Sequence, residues 1–201
     1  LVTTHLSQGS DLGLTGGIAT GKTTATDFFA SKGIEIIDAD EISRSLQLKG
    51  AAGYRQVLQE FVKDILDDNE EINRSALRKI AFANKTNKEK LEGIMHPLIR
   101  SEIMQGFENI KSKWGIYSAP LWSNRNKFKR TLVINSSPHI QSQRIKARDN
   151  SSDEVIQKIL TEQMSYKERI SFADDLIFND GSLETFLAKL DFYYKLYDKL
   201  A

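Results

Sequence analysis

The sequence predicts an α/β fold: a parallel sheet flanked by helices, with a block of helices inserted after the second strand. Three observations carry this. The first 40 residues read strand, glycine loop, helix, strand. Residues 40 to 112 hold almost no strand signal, and short strand-like runs return at 115–121, 131–135 and 176–178.

The opening unit is the clearest. Leu12-Gly13-Leu14-Thr15 is a short apolar stretch ending in Gly16-Gly17. From Thr23 to Lys32 the sequence sets Ala25, Phe28 and Phe29 at helical spacing, and Gly33 follows as a C-terminal cap. Ile34 to Ile37 is a β-branched run broken only by Glu35, and it ends at Asp38. Strand, crossover helix and strand imply parallel pairing with a right-handed connection. Gly9-Ser10-Asp11 precedes Leu12, so the first strand is expected to be short or frayed.

The insertion reads as helices over Asp40–Leu48 and Tyr54–Ile65, then one capped by Asn73 that runs through Leu77 and Ile80. Asn87–Met95 is helical, and His96-Pro97 predicts a break, with Pro97 opening another helix that runs to about Lys111. After the strand at 131–135, Ser136-Ser137-Pro138 starts a helix through Arg148. Ser151 with Glu154 predicts a capping box for a helix to about Gln163, and a polar stretch continues to Arg169. Leu183–Leu200 is a closing amphipathic helix.

Bulk properties exclude several classes. With 28 basic and 27 acidic residues the net charge is +1, which argues against a general electrostatic grip on nucleic acid or an anionic membrane. No apolar run approaches bilayer length. Leu1–Ser10 carries neither the charged start nor the apolar stretch of a secretory signal, and the chain begins with Leu, not Met. There is no cysteine, hence no disulfide and no thiolate metal site, and the expected location is cytoplasmic.

Gly16-Gly17-Ile18-Ala19-Thr20-Gly21-Lys22-Thr23 matches G-x-x-x-x-G-K-[ST]. Glycines let the backbone wrap and turn its N–H groups toward phosphate oxygens. The following helix adds the positive end of its dipole. In this pattern Gly17, Ile18, Ala19, Thr20, Gly21, Lys22, Thr23 and Thr24 line the phosphates of a nucleoside triphosphate; Lys22 reaches the β- and γ-phosphates, and the Thr23 hydroxyl ligates Mg²⁺. The bland alternative is a glycine-rich turn before a surface helix, and the βαβ setting disfavours it.

Asp38 and Asp40 come at the carboxyl end of the second strand, the edge of an open α/β sheet where ligands bind. One can take a proton from a substrate hydroxyl and the other can hold Mg²⁺ or its water. Position alone leaves an equal alternative, a turn acid followed by a helix N-cap. Arg144 and Arg148 lie four apart on one helix and suit polyphosphate, although an isolated pair reads more simply as a solvated basic face. Arg169 lies across the next polar segment, which has the broken character of a lid. His96 has no second ligand at metal spacing, and Trp114 and Trp122 read as packing residues.

Taken together these residues resemble the dephospho-coenzyme A kinase family. Leu14–Thr23 looks like its P-loop, Ile37-Asp38-Ala39-Asp40 its acidic strand end, and His96-Pro97-Leu98-Ile99 its motif in the helical domain. Pro120-Leu121 resembles its Pro-Leu-Leu loop, Arg144 with Arg148-Asp149 its lid entry, and Ala173-Asp174-Asp175-Leu176-Ile177 its last strand. The resemblance runs from about residue 12 to the end. It implies transfer of the γ-phosphate of ATP, with Mg²⁺, to the 3′-hydroxyl of dephospho-coenzyme A. It implies a P-loop core with a parallel five-stranded sheet (1–39, 113–148 and 173–201), a helical substrate domain (40–112) and a lid (149–172). It also implies Asp40 as catalytic base beside Lys22 and Arg148, Arg144 on ATP, Thr15, Asp40, His96 and Pro120 on the substrate, and Thr23 and Asp38 on the metal. One departure is Asn124, where the family has an acid after Pro-Leu-Leu.

Three other readings compete. A related kinase could act on another small hydroxyl substrate such as a nucleotide. A regulatory GTPase needs Asn-Lys-x-Asp, but Asn84-Lys85-Thr86-Asn87 lacks the acid, and no Asp is followed three residues later by Gly. A non-catalytic nucleotide-binding module is disfavoured by the intact Lys22, Thr23 and Asp40.

Overall fold

The computed structural model describes residues 12–61, 65–81, 83–120 and 128–201. Strands β1 (Leu12–Gly16), β2 (Glu35–Asp38), β3 (Gly115–Ser118), β4 (Arg130–Asn135) and β5 (Asp175–Phe178) form one parallel five-stranded sheet in the order β2-β3-β1-β4-β5. Far from frayed, β1 is short but central: all of it is buried, with β3 on one side and β4 on the other. A parallel strand covered on both faces needs only a compact apolar run, not alternation. The chain leaves β1 past β3 to reach β2, and leaves β3 past β1 to reach β4. The connections therefore diverge at β1, and its carboxyl end is the switch point where such sheets bind ligands.

Helices α1 (Lys22–Ser31) and α9 (Leu183–Leu200) bring Ala25, Phe29, Phe186, Leu190 and Tyr197 into one core with Leu12, Leu14, Ile116, Leu132, Ile134 and Ile177. Trp114 packs there as expected: its ring centroid lies 5.9 Å from Phe29 and 5.7 Å from Tyr197, both edge-on. Gly33 (φ +83) closes α1, donating its N–H to Ala30 O at 2.9 Å. The start of β5 is fixed by polar groups. Arg130 Nη2 donates to Asp175 Oδ1 at 2.9 Å and the Tyr197 hydroxyl donates to Asp175 Oδ2 at 2.8 Å. Burial, reinforced by the Asp175 charge, pushes the Tyr197 phenol far up, so it remains a donor.

Three further helices complete this unit: α6 (Pro138–Asp149), α7 (Asp153–Glu162) and α8 (Tyr166–Ile170). Ser137 caps α6, as its place before Pro138 requires. The expected box of Ser151 with Glu154 is corrected: Ser152 is the cap, accepting from Val155 N, which puts both Asp153 and Glu154 in the first turn where the dipole favours acids. The capping box stands instead on α8, where Ser165 and Glu168 cap each other and make a helix of a segment read as merely polar. The expected strand 115–121 ends at Ser118; Leu121, Trp122 and Asn124 lie outside the described residues.

Residues Ala39–Glu108 form a second compact unit of helices α2 (Ala39–Ser45), α3 (Ala52–Phe61), α4 (Arg74–Ala81) and α5 (Lys85–Glu108). Its core gathers Leu46, Tyr54, Val57, Phe61, Ile65, Ile72, Leu77 and Met95. Asn73 Oδ1 accepts from the N–H groups of Ser75 and Ala76, both at 3.1 Å. The break expected at His96-Pro97 is absent, and α5 runs on through Pro97. Proline removes one helical hydrogen bond and crowds the carbonyl four residues back, here Gly93. Leu91, Ile94, Met95, Leu98 and Ile99 all pack on this unit's core, so burial on both sides of Pro97 outweighs the lost bond. Among the described residues no helix is long and apolar enough to cross a membrane.

Candidate active site

Residues Gly16 to Thr23 join β1 to α1, and four successive loop carbonyls are bonded by side chains, one from within the loop and three from outside it. Gly17 O accepts the Thr20 hydroxyl at 2.9 Å and Ile18 O accepts Gln141 Nε2 at 2.6 Å. Ala19 O accepts Arg144 Nη1 at 3.2 Å and Thr20 O accepts Asn179 Nδ2 at 2.9 Å. A loop with its carbonyls held outward turns its N–H groups the other way, toward an anion. Gly21 has φ +102 and an added Cβ would lie 2.5 Å from Asn179 Nδ2, so glycine is required there. Ala19 shares the left-handed region at φ +56, a strained position of the kind found at ligand-binding turns.

Lys22 stands in the first turn of α1. Its Nζ donates to Ser118 Oγ at 3.1 Å and lies 3.7 Å from Asp38 Oδ2. Asp38 and Ser118 are register partners at the ends of β2 and β3, so the lysine cation spans the carboxyl edge of the sheet. Thr23 follows with its side chain toward solvent. No group of three or more His, Cys, Asp or Glu that could hold a metal occurs among the described residues. One carboxylate and one hydroxyl beside a phosphate loop instead suit Mg²⁺ carried in on phosphate oxygens.

The remaining expected site residues fall in different places. Arg144 does reach the loop, but from behind: besides Ala19 O it donates to Ser136 Oγ at 3.1 Å and Asn179 O at 2.9 Å. In these bonds its guanidinium holds the loop from behind. Arg148 is exposed and paired with Asp149, Nε to Oδ1 and Nη2 to Oδ2 both at 2.7 Å, so it is not brought to the loop. Asp149 also holds the Arg148 guanidinium more firmly protonated, and Arg148 holds the Asp149 carboxyl below its usual range. Thr15 is 1% exposed, and its hydroxyl meets no partner among the described residues. Pro120 is exposed just past β3. In the helical unit, His96 is exposed on α5 and Asp40 is half-buried. Asp40 is the second residue of α2, inside its first turn, so it is not the residue before the helix that an N-cap requires.

Sequence reading passed over Gln141, Ser118, Ser136, Gln163 and Asn179. Gln141 lies near the start of α6 and the others at or just past element ends, and only the fold brings each to the loop or to a side chain that meets it.

The dephospho-CoA kinase family model matches residues 11–185. The chain belongs to the dephospho-CoA kinase family. A dephospho-CoA kinase from Mannheimia succiniciproducens is 38% identical, covering 84% of this chain and 80% of its own length. One from Idiomarina loihiensis is also 38% identical, covering 86% and 87%. Among solved structures, dephospho-CoA kinase from Campylobacter jejuni aligns with a TM-score of 0.70 at 27% identity, over 96% of this chain and 98% of its own. Membership makes ATP the expected phosphate donor at the dephospho-CoA kinase loop. Asn179→Ala should then weaken ATP binding by roughly tenfold and lower the melting temperature. The buried Thr20 carbonyl loses its donor, a cost of about 1–3 kcal/mol. ATP titration beside a thermal melt checks both.

Proposed function

We propose that this chain transfers the γ-phosphate of ATP to the 3′-hydroxyl of dephospho-coenzyme A, giving coenzyme A. The observation that carries this is the loop before Lys22 with three carbonyls held by side chains from outside it, in a chain of this family. Phosphoryl transfer makes little covalent demand on the protein; it needs positioning and charge where charge develops. Lys22 leaves Ser118 and Asp38 to meet the β- and γ-phosphates. Asp40 takes the proton of the accepting hydroxyl. Thr23 and Asp38 would hold Mg²⁺, which when bound neutralises the phosphate oxygens. Asp40, His96 and Pro120 contact the acceptor, and the helical segment 40–112 is its domain. Segment 149–172 is the lid, and the location is cytoplasmic, consistent with the cysteine-free composition.

The lid reading gives Arg148 a task on closure. Its ion pair with Asp149 is exposed and therefore cheap to break, about 0–1 kcal/mol. Arg148→Ala should lower turnover while leaving ATP affinity unchanged, because a contact made only in the closed complex appears in the reacting state. Kinetics with a separate ATP titration check this, and a loss confined to ATP affinity would count against it. The function itself is tested by coupled ADP release with and without dephospho-coenzyme A, run against a panel of nucleotides. Acceleration by a nucleotide alone would replace this substrate with another.

A further inference from the structure

Arg169 on α8 is 5% exposed, and no carboxylate among the described residues pairs with it. Its partners are neutral. Nη2 donates to Met164 O at 2.7 Å and to Gln163 Oε1 at 3.4 Å, and Nη1 to Asn135 Oδ1 at 3.4 Å. A buried guanidinium held by neutral acceptors, two of them long, is an incompletely satisfied cation. Burial also makes its charge harder to hold than usual.

Gln163 shows what the cation faces. Its Oε1 accepts the N–H of Ile18, the third residue of the phosphate loop, at 3.1 Å. The same oxygen accepts from Arg169 Nη2. Both neighbours are donors, which fixes the amide with its oxygen toward them. A loop N–H and a guanidinium converging on one oxygen are what a phosphate oxygen takes. Both side chains press on Gly17, where an added Cβ would lie 2.8 Å from Gln163 Oε1 and 2.9 Å from Arg169 Nη1. A cavity of about 470 Å³ adjoins them, lined in part by Ser136, Gln141, Tyr166 and Phe178, with room for the Gln163 side chain to turn away.

We infer that Gln163 Oε1 is a placeholder for a phosphate oxygen of the nucleotide. ATP displaces it, and Arg169 then contacts the phosphate directly as a catalytic residue. Loss of the Gln163 bond frees the segment between α7 and α8, so nucleotide arrival releases the lid segment from its resting contact. This rests on the phosphotransferase reading above.

The test is ATP titration by calorimetry, with melting temperature and turnover measured on the same samples, for wild type, Gln163→Ala, Gln163→Glu, Arg169→Ala and Arg169→Lys. Gln163→Glu separates a placeholder from a structural tie. A carboxylate bonds Arg169 more strongly than an amide does, so the melting temperature should rise. As a tethered competitor it should weaken ATP binding about tenfold or more. Gln163→Ala should tighten ATP binding by a few-fold because nothing has to be displaced. Arg169→Ala should weaken ATP binding and cut turnover about 10²-fold, the lower end for loss of one donor to developing charge. Arg169→Lys keeps the charge without the fork and should fall between. Gln163→Glu binding ATP as wild type does, or Arg169→Ala leaving ATP affinity and turnover intact, would overturn the inference. Wild type that binds no ATP at all would instead overturn the phosphotransferase reading beneath it.

Discussion

Lys22→Ala is expected to reduce phosphoryl transfer by about 10³-fold or more while the protein stays folded. The size follows from where the charge sits. In the transition state negative charge spreads over the oxygens around the transferred phosphorus, and a preorganised cation in a water-poor loop is worth far more than one in water. A single neutral donor to such charge contributes about 10²–10³-fold, and a full cation should meet or exceed that. Stability should change little. Lys22 Nζ makes one bond to Ser118 Oγ and one 3.7 Å contact with Asp38, at the open edge of the sheet and away from the Phe29–Trp114–Tyr197 core. Asp38 is partly exposed and keeps access to water, while the buried Ser118 hydroxyl loses one donor, a cost of about 1 kcal/mol that leaves the protein folded. Turnover from the ADP-release assay, compared with a thermal melt, decides it. Near-native turnover in a folded variant would remove the loop from the chemistry altogether.

The parts of this site that were legible in the sequence are those that local spacing encodes. The phosphate loop is contiguous, its glycines answer to backbone geometry, and the helix after it is forced by the pattern of Ala25, Phe28 and Phe29. Asp38 was legible because a strand of four residues leaves its end visible. The loop's supports were not. Gln141, Asn179 and Arg144 come from two segments far along the chain, and their convergence depends on β4 lying beside β1 and β5 beside β4. Arg144 reads as a phosphate ligand by its charge, but its fork fits backbone carbonyls equally well, and the fold brings it those of Ala19 and Asn179. Pro97 misled for the opposite reason. Its local preference is to start a helix, but five apolar neighbours on both sides of it commit α5 to the core of its unit, and the tertiary gain exceeds one lost hydrogen bond. The cap at Ser152 is one position from the expected one: Ser151 has the acid three residues on that a capping box requires, whereas Ser152 caps through its hydroxyl and Val155 N alone.

Asp40→Asn is expected to lower turnover by about 10²–10³-fold with ATP affinity and melting temperature near native. Positioned acid–base catalysis contributes about 10²–10⁴-fold, and the loose transition state of phosphoryl transfer asks little of the nucleophile, which favours the lower part of that range. Covalent geometry alone keeps the Asp40 Cα within about 7 Å of the Asp38 Cα, since each residue advances the chain by at most about 3.6 Å. Asp38 in turn lies 3.7 Å from the loop lysine. The competing role was helix capping, and it made a distinct forecast, because Asn caps as well as Asp and the substitution would then change nothing. The structure sets Asp40 inside the first turn of α2, after Ala39, where a carboxylate gains about 0.3–1 kcal/mol from the helix dipole. Losing that benefit would lower the melting temperature slightly and leave turnover alone. The two roles thus move different observables. Asn retains the size and most of the hydrogen bonding of Asp, so a large loss of turnover cannot come from a vacated volume. Steady-state kinetics on this one variant, with ATP binding and a melt measured separately, decides the matter: turnover within a few-fold of native would leave Asp40 without a part in proton transfer, and the base would have to be sought elsewhere.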